Sequence, residues 1–163
     1  MPDIPNFLPP LLNLDGTFEE IIERLYTVFR TDFIENRAQH LGRIVTYNGI
    51  IDEQSQGKVN AFWHVITRDD AIIQERLIHY PRAKRLPWAK PLMQNHFNEE
   101  IVFFVYEEGT KREGIHHYIW FRNGQYVVIL KQRKFDYYWI TAFYVEGWKE
   151  RDLQRKFENR LKE

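Results

Sequence analysis

The chain contains no cysteine. Disulfides, thiolate zinc sites and thiol nucleophiles are therefore excluded. That composition is compatible with the cytoplasm, which is the compartment expected. Net charge is also lacking: 23 Lys and Arg balance 23 Asp and Glu. Global charge therefore does not announce a nucleic-acid partner. No apolar run is long enough to span a bilayer, and no membrane partner is expected. The proline-broken start, Met1-Pro-Asp-Ile-Pro-Asn-Phe, lacks the basic opening of a secretory leader. There is no HExxH and no paired Asp/Glu cluster, so neither a metal nor another cofactor is expected.

What is present is aromatic. Phe, Trp and Tyr make up 16% of the 163 residues and must form much of the core. A domain of roughly 150 residues buries about 70% of its unfolded surface, so one sizeable core is within reach. Residues 1–14 hold four prolines and read as an extended arm pinned by leucines. Thr17-x-x-Glu20 is a capping box. Apolar spacing from Phe18 to Phe33 then predicts a helix over about 18–36. Gly42–Tyr47 is β-rich, and Asn48-Gly49 suggests a hairpin with Ile50-Ile51. Val59–Thr67 reads as a strand, with Phe62, His64 and Ile66 on one face.

Helical spacing returns over 71–78, and Pro81 interrupts it. A short helix is expected near 87–95. Strands follow at Ile101–Tyr106, Ile115–Arg122, Tyr126–Leu130 and from Phe135 or Tyr137 to Val145. Asn123-Gly124 is the strongest hairpin signal. Trp148–Lys162 closes as a charged helix with Leu153, Phe157 and Leu161 inward. The fold class is α+β: an N-terminal helix, a curved antiparallel sheet of about four or more strands, and a C-terminal helix.

Two stretches carry candidate chemistry. Ala61-Phe-Trp-His-Val-Ile-Thr-Arg68 sets His64, Thr67 and Arg68 at the end of an apolar run. From Arg76 to Lys90 there are several bases and no acid, with Arg82, Lys84, Arg85 and Lys90 around Trp88. Imidazole titrates near neutrality and moves protons. Guanidinium forks bind phosphate oxygens and oppose charge growing in a transition state. Trp88 has the face to stack on a base, although burial is the commoner fate. The plainer reading of His64 is a hydrogen-bonded core histidine, and spacing alone favours it. His40, His79, His96, His116 and His117 compete for its role. His116-His117 points to opposite strand faces, which disfavours shared ligation. Lys131, Arg133, Tyr137, Thr141 and Tyr144 form a third group around the last strand. Each of these, taken singly, is more often structural.

Three blocks together resemble the phage- and plasmid-borne branch of the Barnase–EndoU–colicin–RelE-like (BECR) nucleases. They are Phe62-Trp-His-Val-Ile-Thr-Arg68, Arg82-Ala-Lys-Arg-Leu-Pro-Trp-Ala-Lys-Pro91, and Tyr126-Val-Val-Ile-Leu130 with Tyr137–Tyr144 and the closing helix. The likeness spans about 62–160 and implies N-terminal helical structure before a curved antiparallel sheet. The first forty residues match nothing in the family, and the chain divides into an arm and helix over 1–40 and a nuclease-like α+β domain over 41–163, in one compact unit. The resemblance also implies metal-independent RNA cleavage by the 2′-hydroxyl, as in toxins or mobile-element effectors. RNA and an inhibitor or antitoxin protein are the partners it suggests. Carried onto this chain, the catalytic residues are His64, Arg82, Arg85 and Thr141; to these the reading of the last strand adds Tyr144 as a second proton donor. Thr67, Arg68, Trp88, Lys90, Lys131, Arg133 and Tyr137 would contact substrate. A non-catalytic RNA-binding or regulatory protein, or an interaction module whose aromatics are all core, remains open beside this.

Overall fold

Thr17 accepts the Glu20 amide at 3.2 Å, and the Glu20 carboxylate accepts the Thr17 amide in return. This capping box opens α1, Phe18–Phe29, which buries Ile21, Ile22, Leu25 and Phe29. The helix widens into a π turn over Arg30–Glu35. Asn36 closes that turn by donating from Nδ2 to the Thr31 carbonyl, five residues back. The computed structural model describes residues 4–68 and 78–162. The helical spacing read over 71–78 lies, up to residue 77, outside the described residues.

Strands β1 (Gln39–His40) and β2 (Arg43–Thr46) follow, then α2 (Asn60–Ile66) and α3 (Tyr80–Ala83). A 3-10 turn over Leu86–Trp88 leads into α4 (Ala89–Gln94). The chain then runs through β3 (Val102–Glu107), β4 (Ile115–Phe121), β5 (Tyr126–Gln132) and β6 (Tyr137–Tyr144), and ends in α5 (Trp148–Glu158). No helix among the described residues is long and apolar enough to cross a membrane.

The six strands lie in the order β1-β2-β6-β5-β4-β3. β3 to β6 form the expected antiparallel meander. The sheet is nevertheless mixed, because β2 pairs with β6 in parallel, Val45 opposite Tyr137. A long connection between two strands permits that orientation, whereas a tight turn does not.

Two sequence expectations fail here for local reasons. Val59–Thr67 is not a strand: Asn60–Ile66 is helical, with Ala61, Phe62, Trp63, Val65 and Ile66 all buried. An apolar run buried nearly all round has no period to distinguish helix from strand. Nor do Ile50-Ile51 return as a hairpin partner. Instead the Asn48 and Ile50 carbonyls accept the Ala61 and Asn60 amides, so this loop caps α2.

Side chains on the two faces of the sheet build two cores. The inner face packs Tyr126, Val128, Leu130 and Trp139 against Leu25, Phe29, Phe62 and Leu92. The outer face packs Phe104, Tyr118, Trp120 and Val127 beneath Leu153 of α5. Leu161 lies past the end of α5, exposed, but its amide donates to Val105 on the edge strand at 2.8 Å.

Candidate functional site

Thr67 ends α2 and pairs with Ile78 in an isolated antiparallel bridge. That bridge sets His79 opposite Ile66, with Arg68 close enough to act on the His79 ring. The His79 amide donates to Ile66 at 2.9 Å, and His79 then caps the start of α3. Pro81 sits in the first turn of α3, where its missing amide costs nothing.

Arg82 leaves α3 for the interior. Its Nε donates to Ala142 at 2.6 Å, Nη1 to the Thr67 carbonyl at 2.7 Å and Nη2 to Thr141 Oγ1 at 2.8 Å. One guanidinium thus ties α2, α3 and β6 together. Since the Thr141 hydroxyl accepts from Arg82, its own proton is available to donate. Arg85 is fixed in the same manner, donating to Gly124 at 2.9 Å and Pro81 at 2.8 Å. Its Cζ lies 5.3 Å from the Trp88 ring centre. Tyr144 stands at the end of β6, its ring centre 6.4 Å from that of His79.

The charges around His79 show in its titration. Burial lowers its pKa first, then Arg68 and Arg82, with Lys149 adding to them and Glu146 opposing. Lys149 is pushed down as well, by burial, Arg82 and Arg68, against the pull of Glu146. Beneath them lies Tyr126, fully buried, its hydroxyl without a hydrogen-bond partner among the described residues. Burial raises its pKa well above the usual phenol range. Arg68, His79, Arg82, Thr141, Tyr144 and Lys149 therefore make one cationic face with a neutral imidazole in it, and Arg85 flanks it.

Of the residues singled out from the sequence, Arg68, Arg82, Arg85, Thr141 and Tyr144 come together here. Thr67 supports them through its carbonyl, while its hydroxyl donates back to Trp63 at 2.6 Å. His64 is exposed on α2 rather than being a core histidine. The histidine among these cations is His79, which had been only a competitor for the role. Lys149 was missed altogether, since one lysine in a charged helix carries no signal.

The remaining residues go elsewhere. Trp88 is buried and donates to the Pro9 carbonyl at 2.7 Å, so it presents no face to a base. Lys90 donates to the Asn36 carbonyl at 3.2 Å on the wall of a separate cleft. That cleft, about 580 Å³, lies between α1 and α4 and holds Asp32, whose pKa burial raises. It contains no histidine or tyrosine, so the cationic face is the better place for proton chemistry. Lys131 donates to Arg112 at 2.8 Å, and Arg133 grips Asp136 at 2.7 Å. Tyr137 packs against His40 and His117, with ring centres 4.8 Å from each. Tyr137 and Tyr144 stand at opposite ends of β6, roughly 23 Å apart at about 3.3 Å per residue. Lys131, Arg133 and Tyr137 thus belong to the other end of the sheet.

Among the described residues no group of three or more His, Asp or Glu side chains could hold a metal ion. Compared with family models, with curated proteins and with solved structures, the chain matches none.

Proposed function

We propose that the chain is an endoribonuclease that cleaves RNA by internal transesterification without a metal ion, as its resemblance to the BECR nucleases implies. The observation that carries this reading is His79 beside Arg68, Arg82 and Lys149, with its pKa held below the ordinary value. A neutral imidazole next to fixed cations is what removal of a proton beside a phosphodiester requires. The ribose O2′ attacks phosphorus and its proton passes to His79. The P–O5′ bond breaks, and Tyr144 protonates the leaving oxygen. The Thr141 hydroxyl and the cations face the charge that grows on phosphate. The products are a 2′,3′-cyclic phosphate and a 5′-hydroxyl. DNA, which lacks the nucleophile, is inert as a substrate.

A second reading has its own support. The Nε of both Arg82 and Arg85 and one further nitrogen or more of each already bind protein oxygens. These cations attract phosphate without offering it a full fork, which suits a non-catalytic RNA-binding protein.

The test is to incubate the protein with RNA in EDTA and to determine the ends of any fragments. Cyclic phosphate ends support the first reading. Intact RNA with salt-dependent binding supports the second. Activity that chelation abolishes and magnesium restores would overturn metal independence.

A further inference from the structure

The chain has five tryptophans. Trp63, Trp88, Trp120 and Trp139 are buried, none more than 3% exposed. Trp148 is 65% exposed. A single exposed apolar side chain is ordinary, but an exposed indole beside cations offers a face on which a base can stack. Trp148 begins α5 directly before Lys149, whose ammonium is close enough to Arg68 and Arg82 to be lowered by both. Gly147, just before it, has φ of 58° and ψ of −129°, a conformation that side chains rarely adopt. The chain turns sharply there, between the last strand, which ends at Tyr144, and the helix.

Two aromatics of the last strand near the site have a face already taken, and Tyr80, exposed at the start of α3, is smaller than an indole and less exposed than Trp148. The Tyr144 ring lies under the Arg85 guanidinium, 4.6 Å away, and the Phe143 ring under the Lys149 ammonium, 4.9 Å away. Phe135 is more exposed than Trp148, but it precedes β6 and so lies at the other end of that strand.

Building on the proposed function, we infer that Trp148 is a stacking platform for one unpaired base, and that the substrate of the cationic face is single-stranded nucleic acid. Bases inside a duplex already stack on both neighbours and offer no face to an indole. A base in a single strand or loop does, while Arg68 and Lys149 hold the adjoining phosphates.

Because Trp148 is the only exposed tryptophan, its fluorescence quenching by acrylamide, a neutral quencher, reports on it alone. The probe is a hexamer of deoxyadenylate, which keeps bases and phosphates but lacks the 2′-hydroxyl that cleavage needs. Saturating hexamer should reduce acrylamide quenching at least about twofold. Trp148→Ala should weaken hexamer binding by roughly 5- to 150-fold, the share of one stacked base. Trp148→Phe should restore most of the affinity, and a blunt, G·C-rich duplex of about twelve base pairs, which stays paired under assay conditions, should bind more weakly than a single-stranded dodecamer. Salt-dependent hexamer binding with unchanged quenching, or with equal affinity in Trp148→Ala, would overturn the platform and leave the phosphate-binding face standing. A duplex bound as tightly as the single strand would overturn the substrate class. No binding of either by the wild-type protein would remove the phosphate-binding reading, and this inference with it.

Discussion

The guanidinium of Arg85 lies 4.6 Å from the centre of the Tyr144 ring, with its Nε held by the Gly124 carbonyl. The cation is therefore fixed before any ligand arrives, and it covers one face of the ring. Its positive charge still adds to the field over the site. Arg85→Ala should weaken RNA binding and lower the slope of log affinity against log salt by about one contact. Fluorescence anisotropy across a salt series measures this. An unchanged slope would mean that Arg85 serves the fold alone.

Arg82 makes a different expectation because its bonds are to the protein. Lysine in its place keeps the charge but has one nitrogen for the carbonyls of Thr67 and Ala142 and the hydroxyl of Thr141. Buried oxygens left without donors each cost about 1–3 kcal/mol. Arg82→Lys should lose at least about 2 kcal/mol in urea unfolding. A variant as stable as the wild type would show that this clamp contributes little.

For His79 the sign of the pKa shift decides the pH profile. Lowered from 6.5, mainly by burial and then by Arg68 and Arg82, the ring is neutral and ready to accept a proton at neutral pH. Cleavage should fall as pH drops through this depressed value, so the acid limb of kcat/KM should lie below 6.5. Arg68→Gln removes a repelling charge and should move that limb upward. His79→Ala should lose about 10²–10⁴ in rate while folded. Should His79→Ala cleave normally and His64→Ala fail instead, the proton is moved from α2.

How much of this was legible beforehand differs residue by residue. Thr17 and Glu20 announced α1, because a capping box acts locally. Asn123-Gly124 marked the β4–β5 connection, and the basic run around Arg82 and Arg85 marked the cationic face. The parallel pairing of Val45 with Tyr137 leaves no local trace, since the partners are far apart in sequence. The same is true of His79, which joins the site only because Ile78 bridges Thr67. Trp88 and Trp148 could not be told apart as core and surface without the packing. His64 looked like the strand histidine of a site because the apolar residues around it, all buried from Ala61 to Ile66, gave no helical period to contradict it.

Gly124 shows that a correct signal can have a different cause. An Asn-Gly turn suggests a glycine needed for positive φ. The residue with positive φ in this turn is Gln125, at 58°, whose amide donates to Arg122 at 3.1 Å. Gly124 is required by space: an added Cβ would stand 2.5 Å from the Phe121 ring and 2.9 Å from Trp88. Both rings are buried, so neither can move freely. Gly124→Ala should cost about 1–3 kcal/mol, the usual penalty of overpacking. Equal stability in thermal and urea unfolding would show that the rings can give way.

At the other end of the sheet, His40 and His117 face one another with Nε2 and Nδ1 3.1 Å apart. His40 donates from Nδ1 to the Met93 carbonyl at 3.0 Å, and His117 Nε2 lies 2.9 Å from Gln132 Oε1. Two neutral rings share a proton when His117 carries it on Nδ1 and Gln132 turns its NH2 toward Nε2. Protonating both rings would set N–H against N–H in a buried site. Burial pushes the His40 pKa down to about 4, with His117 and His96 adding to it against the Met93 hydrogen bond. His117 and His96 are lowered too, chiefly by burial. The sign follows from the unfolded chain, where each histidine titrates near 6.5. Below that pH the unfolded state takes up protons that the folded state refuses, so stability present above 6.5 is lost as pH falls toward 4. His40 alone should account for about 2 kcal/mol between roughly pH 7.5 and pH 5. His40→Gln, which keeps a donor for Met93, should remove most of that dependence. Urea unfolding of both proteins at the two pH values measures it. A wild-type protein equally stable at both would mean that the pair carries a proton in the folded state.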